Sequence, residues 1–251
     1  MGRPRLLLVP EFTELTWTIK PRLEQWAEVA SYDPPGVGEE PMPAGDVSAF
    51  TRHVIAERGL AELERVGWDR FFLLADGWAI PVAVSIAERR SGSVLGMALG
   101  HASVEIRREG ERPTISPAVY EAMSQLVRQD REAFLRYGIA QSTGGSVSEE
   151  LAERMVERFP KDLVEAGWNA VTADDERFGK RLRQLDLPLL LAKHEGCLMS
   201  TDEGFEDAVK ALPGAKVISV PAAPSTSEEF AAAVREFCGE VSRREREPAG
   251  R

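Results

Sequence analysis

Glu11, Asp76 and His101 each stand at or just past the end of a short apolar run, where a side chain is free to do chemistry. A carboxylate and an imidazole brought together suit proton transfer, and His101, with an ordinary pKa close to neutrality, is the natural acid or base. Burial would push His101 toward its neutral form. A carboxylate within about 4–6 Å would outweigh that and hold it protonated, fit to donate a proton or bind an anionic group. Asp76 has two readings: a nucleophile, or a cap for the helix that begins near Trp78. His194 and Glu195 follow a later apolar run and share the logic of His101, whereas His53 lies mid-helix and reads as a surface residue. Cys197 is a small buried hydrophobe or a thiol beside the same mouth. The candidate catalytic set is therefore Asp76, His101 and Glu11, and the candidate ligand contacts are Phe12, Gly77, Trp78 and Cys197. Trp17, with Phe12 and Trp78, is expected to wall an apolar pocket, while Trp26, Trp68 and Trp168 read as packing residues.

These residues need a scaffold. Short apolar strands alternate with amphipathic helices, the pattern of a parallel sheet covered on both faces. Strands are expected over 6–9, 29–32, 70–74, 94–100, 187–192 and 216–220. Helices are expected over 18–27, 50–66, 80–89 and 227–241. Between 100 and 187 the pattern is helical instead, over 116–137, 148–159 and 174–185, and is interrupted by Ser142-Thr143-Gly144-Gly145-Ser146. That predicts a core domain of 1–101 plus 186–241, a helical cap of 102–185, and a charged flexible tail of 242–251 whose mixed signs do not make a nucleic-acid patch.

Bulk composition narrows the function classes. With 251 residues the chain can bury a full core. A net charge of −10 opposes nucleic acid and anionic membranes as partners. The two cysteines, Cys197 and Cys238, are too few for a disulfide framework and fit a reducing cytoplasm. No apolar run reaches the ~20 residues of a membrane span. No metal-spaced Cys/His cluster and no cofactor motif stand out, and a homodimer is compatible with everything above.

The segment Phe71-Phe72-Leu73-Leu74-Ala75-Asp76-Gly77-Trp78-Ala79-Ile80-Pro81 is similar to a nucleophile elbow, with small residues two places either side of Gly77. Asp33-Pro34-Pro35-Gly36-Val37-Gly38 looks like the D-x-P-G-x-G turn. Pro188–Leu191 and Pro213–Pro221 look like the strands before a catalytic acid and a catalytic histidine. In this order they resemble the α/β-hydrolase superfamily over nearly the whole chain. The resemblance implies a mostly parallel sheet of about eight strands with helices on both faces, and positive φ at the apex of the elbow.

At the catalytic positions the chain departs from that pattern. Gly77 stands where the nucleophile belongs, Cys197 where the acid belongs, and Ala222-Ala223-Pro224-Ser225 holds no histidine. Pro10-Glu11-Phe12 replaces the His-Gly expected after the first strand, so a carboxylate would oppose the charge that an oxyanion hole stabilises. Asp76-Gly77-Trp78 resembles the Asp-Trp-Gly of the dehalogenase-like group with two residues exchanged. Centring the turn on Asp76, however, puts Leu74 and Trp78 where small residues are required. The expected functions are binding of a small, largely apolar molecule in a capped pocket, or non-hydrolytic proton transfer (isomerase, lyase or cyclase) through His101, Glu11 or Asp76, or a scaffold with a vestigial pocket.

Overall fold

The computed structural model describes residues 2–42, 47, 50–101, 117–172, 178–195 and 201–246. Among the described residues six strands form one parallel sheet: β1 (Arg5–Leu8), β2 (Glu28–Ser31), β3 (Phe71–Asp76), β4 (Val94–Gly100), β5 (Leu189–His194) and β6 (Lys216–Val220). Their spatial order is β2-β1-β3-β4-β5-β6. The expected count of about eight is thus too high. The six strands of the sheet are the six that the apolar runs announce, and the larger number came from the resemblance without segments to supply it.

Alternate residues serve opposite faces, as the two-residue period of a strand demands. Leu7, Leu73, Met97, Leu99 and Leu191 join the larger core, and Leu6, Leu8, Phe72, Leu74 and Leu190 join the smaller. Because both faces are covered, β3 reads as an unbroken apolar run rather than an alternating one. The smaller core is closed by α1 (Lys20–Leu23) and α10 (Glu228–Arg244), through Leu23, Phe230, Val234 and Phe237. The larger lies under α2 (Arg52–Val66) and α3 (Ile80–Arg89).

The helices of the long insertion are α4 (Pro117–Gln129), α5 (Arg131–Ser142), α6 (Glu149–Arg158), α7 (Lys161–Thr172) and α8 (Phe178–Gln184). The single helix expected over 116–137 is broken at Asp130, whose extended backbone and carboxylate, accepting from the Ala133 N–H at 3.0 Å, start a new helix. The helix expected over 18–27 shrinks to α1, which Pro21 opens. Two helices went unforeseen: α7, and α9 (Asp202–Ala211), where Thr201 caps the Gly204 N–H. The last helix extends three residues beyond the expected 241. Among the described residues no helix is long and apolar enough to cross a membrane.

The insertion is tied to loops at the C-terminal ends of the strands. Arg158 on α6 pairs with Asp33, and its carbonyl accepts from the Gly38 N–H at 2.8 Å. Leu163 on α7 packs against Gly36, and Phe12 against Gly138 on α5.

Candidate functional site

Two strand boundaries differ from expectation in a way that builds the site. β3 extends to Asp76 and β5 to His194, so both residues end strands rather than sit in loops. Asp76 lies opposite Gly100, and Gly100 lies opposite Ala192, across three neighbouring parallel strands. Their chain ends therefore open onto one edge. There Asp76 Oδ1 is 2.6 Å from His101 Nδ1, and His101 Nε2 is 3.1 Å from His194 Nδ1. The result is a continuous carboxylate–imidazole–imidazole chain. It is deep at one end, with Asp76 1% and His101 8% exposed, and half-buried at His194.

Several backbone features exist to let these groups meet. A Cβ on Gly100 would lie 2.6 Å from Asp76 Oδ1, so a glycine there leaves the carboxylate its path to His101. His101 has φ +45, a left-handed conformation uncommon for a residue with a side chain, and its N–H donates to the Ala192 carbonyl at 3.1 Å. Strain of that kind, about 1–3 kcal/mol, persists where the surroundings demand it and concentrates at functional sites. The second oxygen of Asp76 accepts from the Ser225 N–H at 3.3 Å. The loop after β6, which lacks a histidine, thus contributes a backbone donor instead.

The capping role considered for Asp76 is not what the structure holds. Its backbone precedes the short turn at Gly77–Ala79, but its side chain makes no cap hydrogen bond there. His101 and Ser225 take it instead, because His101 is reachable from the same strand edge.

The elbow itself is formed as anticipated. β3 lies between β1 and β4, and Gly77 has φ +46, which a glycine adopts at little steric cost. Glu11 fills the space above it. Its Oε1 accepts from the Trp78 N–H at 3.2 Å and lies 2.5 Å from where a Cβ on residue 77 would stand. The residue after the apex is the usual backbone donor of an oxyanion hole. A carboxylate therefore occupies both the oxyanion position and the room that a nucleophile's side chain would need. Glu11 follows β1 and Gly77 follows β3, the point where strand order reverses and open α/β sheets bind ligands.

Beside Glu11 is a recess lined by Phe12, Trp78, Phe134, Phe159 and Trp168, with a free volume of about 20 Å³. Phe12 and Trp78 both belong to its wall. Trp168, expected only as packing, is also part of this wall, its ring centroid 5.0 Å from that of Trp78. Trp17 is not: it belongs to the core on the opposite face of the sheet, its Nε1–H donating to the Val9 carbonyl at 3.0 Å. Cys197 lies outside the described residues. Glu195 is exposed and accepts from Ser219 Oγ at 2.8 Å. His53 is exposed on α2 and faces Glu57. Among the described residues no group of acidic, histidine or cysteine side chains is arranged to hold a metal ion.

The electrostatics order the two imidazoles. Burial holds His194 below its ordinary value of 6.5, and any proton charge taken up by His101 pushes the same way, more than Asp76 and Glu195 offset. A proton on the chain is thus best placed on His101, against the carboxylate. This has a stability consequence of definite sign. As pH falls below about 6.5 the unfolded chain protonates residue 194 while the folded chain resists, so stability declines through that window. Urea unfolding between pH 7.5 and 5 should show a shallower decline in His194→Gln than in the parent. Parallel declines would mean that His194 is not held neutral.

No protein-family model and no curated protein sequence matches the chain. Solved structures do. A hydrolase from Oleispira antarctica superposes with a TM-score of 0.77 at 14% identity, over 95% of this chain and 92% of that one. A bromoperoxidase from Bacillus anthracis gives 0.77 at 17% identity, with the same coverage. An alpha/beta hydrolase enzyme from a Medee basin deep-sea metagenome library gives 0.71 at 13% identity, over 95% and 90%. With the parallel sheet, the elbow and the flanking helices, this likeness establishes that the chain has the α/β-hydrolase fold.

Proposed function

We propose that this chain is a non-hydrolytic acid–base enzyme on the α/β-hydrolase fold, with His194 as its working group and Asp76 and His101 behind it. The helices of the insertion then serve as its cap. The observation that carries this reading is the unbroken Asp76–His101–His194 chain at 2.6 and 3.1 Å. His101 has both ring nitrogens engaged within the chain. His194 Nε2 has no hydrogen-bond partner among the described residues, so the outer ring rather than His101 meets a substrate.

The proton balance closes in both directions. When His194 Nε2 takes a proton from substrate, its Nδ1 proton passes to His101 Nε2. The charge then rests on His101 beside the Asp76 carboxylate. Reversing the shifts returns a proton to the substrate, which is what an isomerase or lyase needs. Nothing at the elbow provides the other half of a hydrolase, since Gly77 has no nucleophile and Glu11 occupies the oxyanion position. Simple binding in an open apolar pocket draws less support, because the recess has room for about one water molecule.

Solvent-deuterium exchange tests the reading. Cyclohexanone, pyruvate and a simple acetyl thioester, incubated with protein in heavy water, should show enzyme-dependent exchange of a carbon-bound proton in at least one case. That exchange should fall at least a hundredfold in His194→Ala. Exchange no faster than buffer for all three, or equal exchange by His194→Ala, contradicts it. The same reading expects no burst with 4-nitrophenyl acetate and no covalent labelling by a fluorophosphonate. Stoichiometric labelling near residue 77 would overturn it.

A further inference from the structure

The turn between α5 and α6 brings the insertion against the relay, and its two adjacent glycines differ in what surrounds them. Gly144 has φ +60 and Gly145 has φ +67, so both occupy the left-handed region that residues with a side chain rarely adopt. Their N–H groups donate to the Gln141 carbonyl at 3.3 Å and to the Ala140 carbonyl at 2.8 Å, the paired bonds of a Schellman motif that ends α5. Helix termination therefore accounts for the backbone of this turn. It does not account for its neighbours.

A Cβ on Gly145 would meet nothing within 4 Å. A Cβ on Gly144 would stand 3.3 Å from His194 Cε1 and 3.3 Å from the Ala223 backbone nitrogen, closer than the comfortable carbon contact of about 3.5–4.0 Å. Ala223 is fully buried. Thr143, just before the glycines, is fully buried too, its N–H and hydroxyl both donating to the Ile139 carbonyl, at 2.9 and 2.7 Å. The half-buried ring of His194 is the softer neighbour and is the group that would give way. Cε1 lies between the two ring nitrogens, so a push there moves Nδ1 off its 3.1 Å bond to His101. A shift of a few tenths of an ångström carries that bond toward about 3.5 Å, where hydrogen bonding fades.

We infer that Gly144 is a positioning residue of the relay: its bare backbone is the face of the insertion against which His194 is seated on His101. The consequence for catalysis rests on the acid–base reading above, whereas the seating of the ring does not.

The proton between His101 Nε2 and His194 Nδ1 reports the seating, through its exchange with water followed by NMR in the full chain at pH 7.5. In Gly144→Ala that exchange should quicken about tenfold, the ratio that loss of one ordinary hydrogen bond gives. Gly145→Ala carries the same backbone strain without the contact and should keep the parent's rate. Gly144→Asn is the second variant, because asparagine tolerates the left-handed region and preserves the helix end while bringing the same Cβ. It should quicken the exchange as Gly144→Ala does. If both variants at 144 match Gly145→Ala, Gly144 only ends a helix, and the inference is overturned while the acid–base reading stands. Quickened exchange at 144, in a chain that moves no carbon-bound proton in heavy water, supports the seating and removes the catalytic reading alone.

Discussion

Asp76→Ala is expected to lose about 3–5 kcal/mol of folding stability, the usual result of removing one partner from a buried charge pair. The substitution removes the carboxylate that His101 Nδ1 and the Ser225 N–H face, in a space nearly closed to water. Asp76→Asn keeps the shape and an acceptor oxygen, so about 1–3 kcal/mol is expected, the range for an impaired buried hydrogen bond. Urea unfolding at pH 7.5 measures both. The midpoint should fall in that order with the slope unchanged, which would show altered stability rather than an altered unfolded state. A loss under about 1 kcal/mol for Asp76→Ala would mean that water reaches the pair and that the relay has no protected inner end.

A side chain at residue 77 should be costly for two separable reasons. Positive φ costs a residue with a Cβ about 1–2 kcal/mol. The Cβ would also lie 2.5 Å from Glu11 Oε1, so the carboxylate must leave the Trp78 N–H, adding about 1 kcal/mol. Gly77→Ala alone should therefore lose about 2–3 kcal/mol. Made in a Glu11→Ala background, the same change should lose only the backbone part. The double-mutant cycle then reports a coupling of about 1 kcal/mol between two residues 66 positions apart in the chain. Strict additivity would show that Glu11 does not occupy the apex. Gly77→Ser meets the same obstacle, so a serine nucleophile cannot be restored at the elbow while Glu11 stays.

The scaffold was legible because its signals are local. Each of the six strands is an apolar run of the right length, and α3 begins and ends where its sequence suggests, with Pro81 in its first turn. Elements whose start depends on a single capping side chain were harder to see. Asp130 divides a stretch whose apolar periodicity continues across it, and Thr201 opens a helix of only ten residues.

The site was legible in its membership more than in its wiring. Glu11, Asp76 and His101 were marked by standing at strand ends. Which of them touch depends on register between strands far apart in sequence, and no local pattern encodes register. His194 became the outer member of the relay through a two-residue extension of β5, and Ser225 entered through a backbone N–H, which residue type does not reveal. The best available signal was negative: Gly100, a glycine within an apolar strand, marks a close approach that here admits the Asp76 carboxylate.

The central claim is that the two imidazoles act as one unit anchored by Asp76, and nitrogen NMR of the histidine rings across pH 4–9 tests it most directly. The account predicts that His194 titrates below 6.5 and that His101 keeps a proton on Nδ1, toward Asp76, throughout the range in which His194 is neutral. In Asp76→Asn both titrations should move together, because the proton on one ring sets the state of the other. Two independent titrations near 6.5, unchanged by Asp76→Asn, would contradict the relay and the acid–base function built on it.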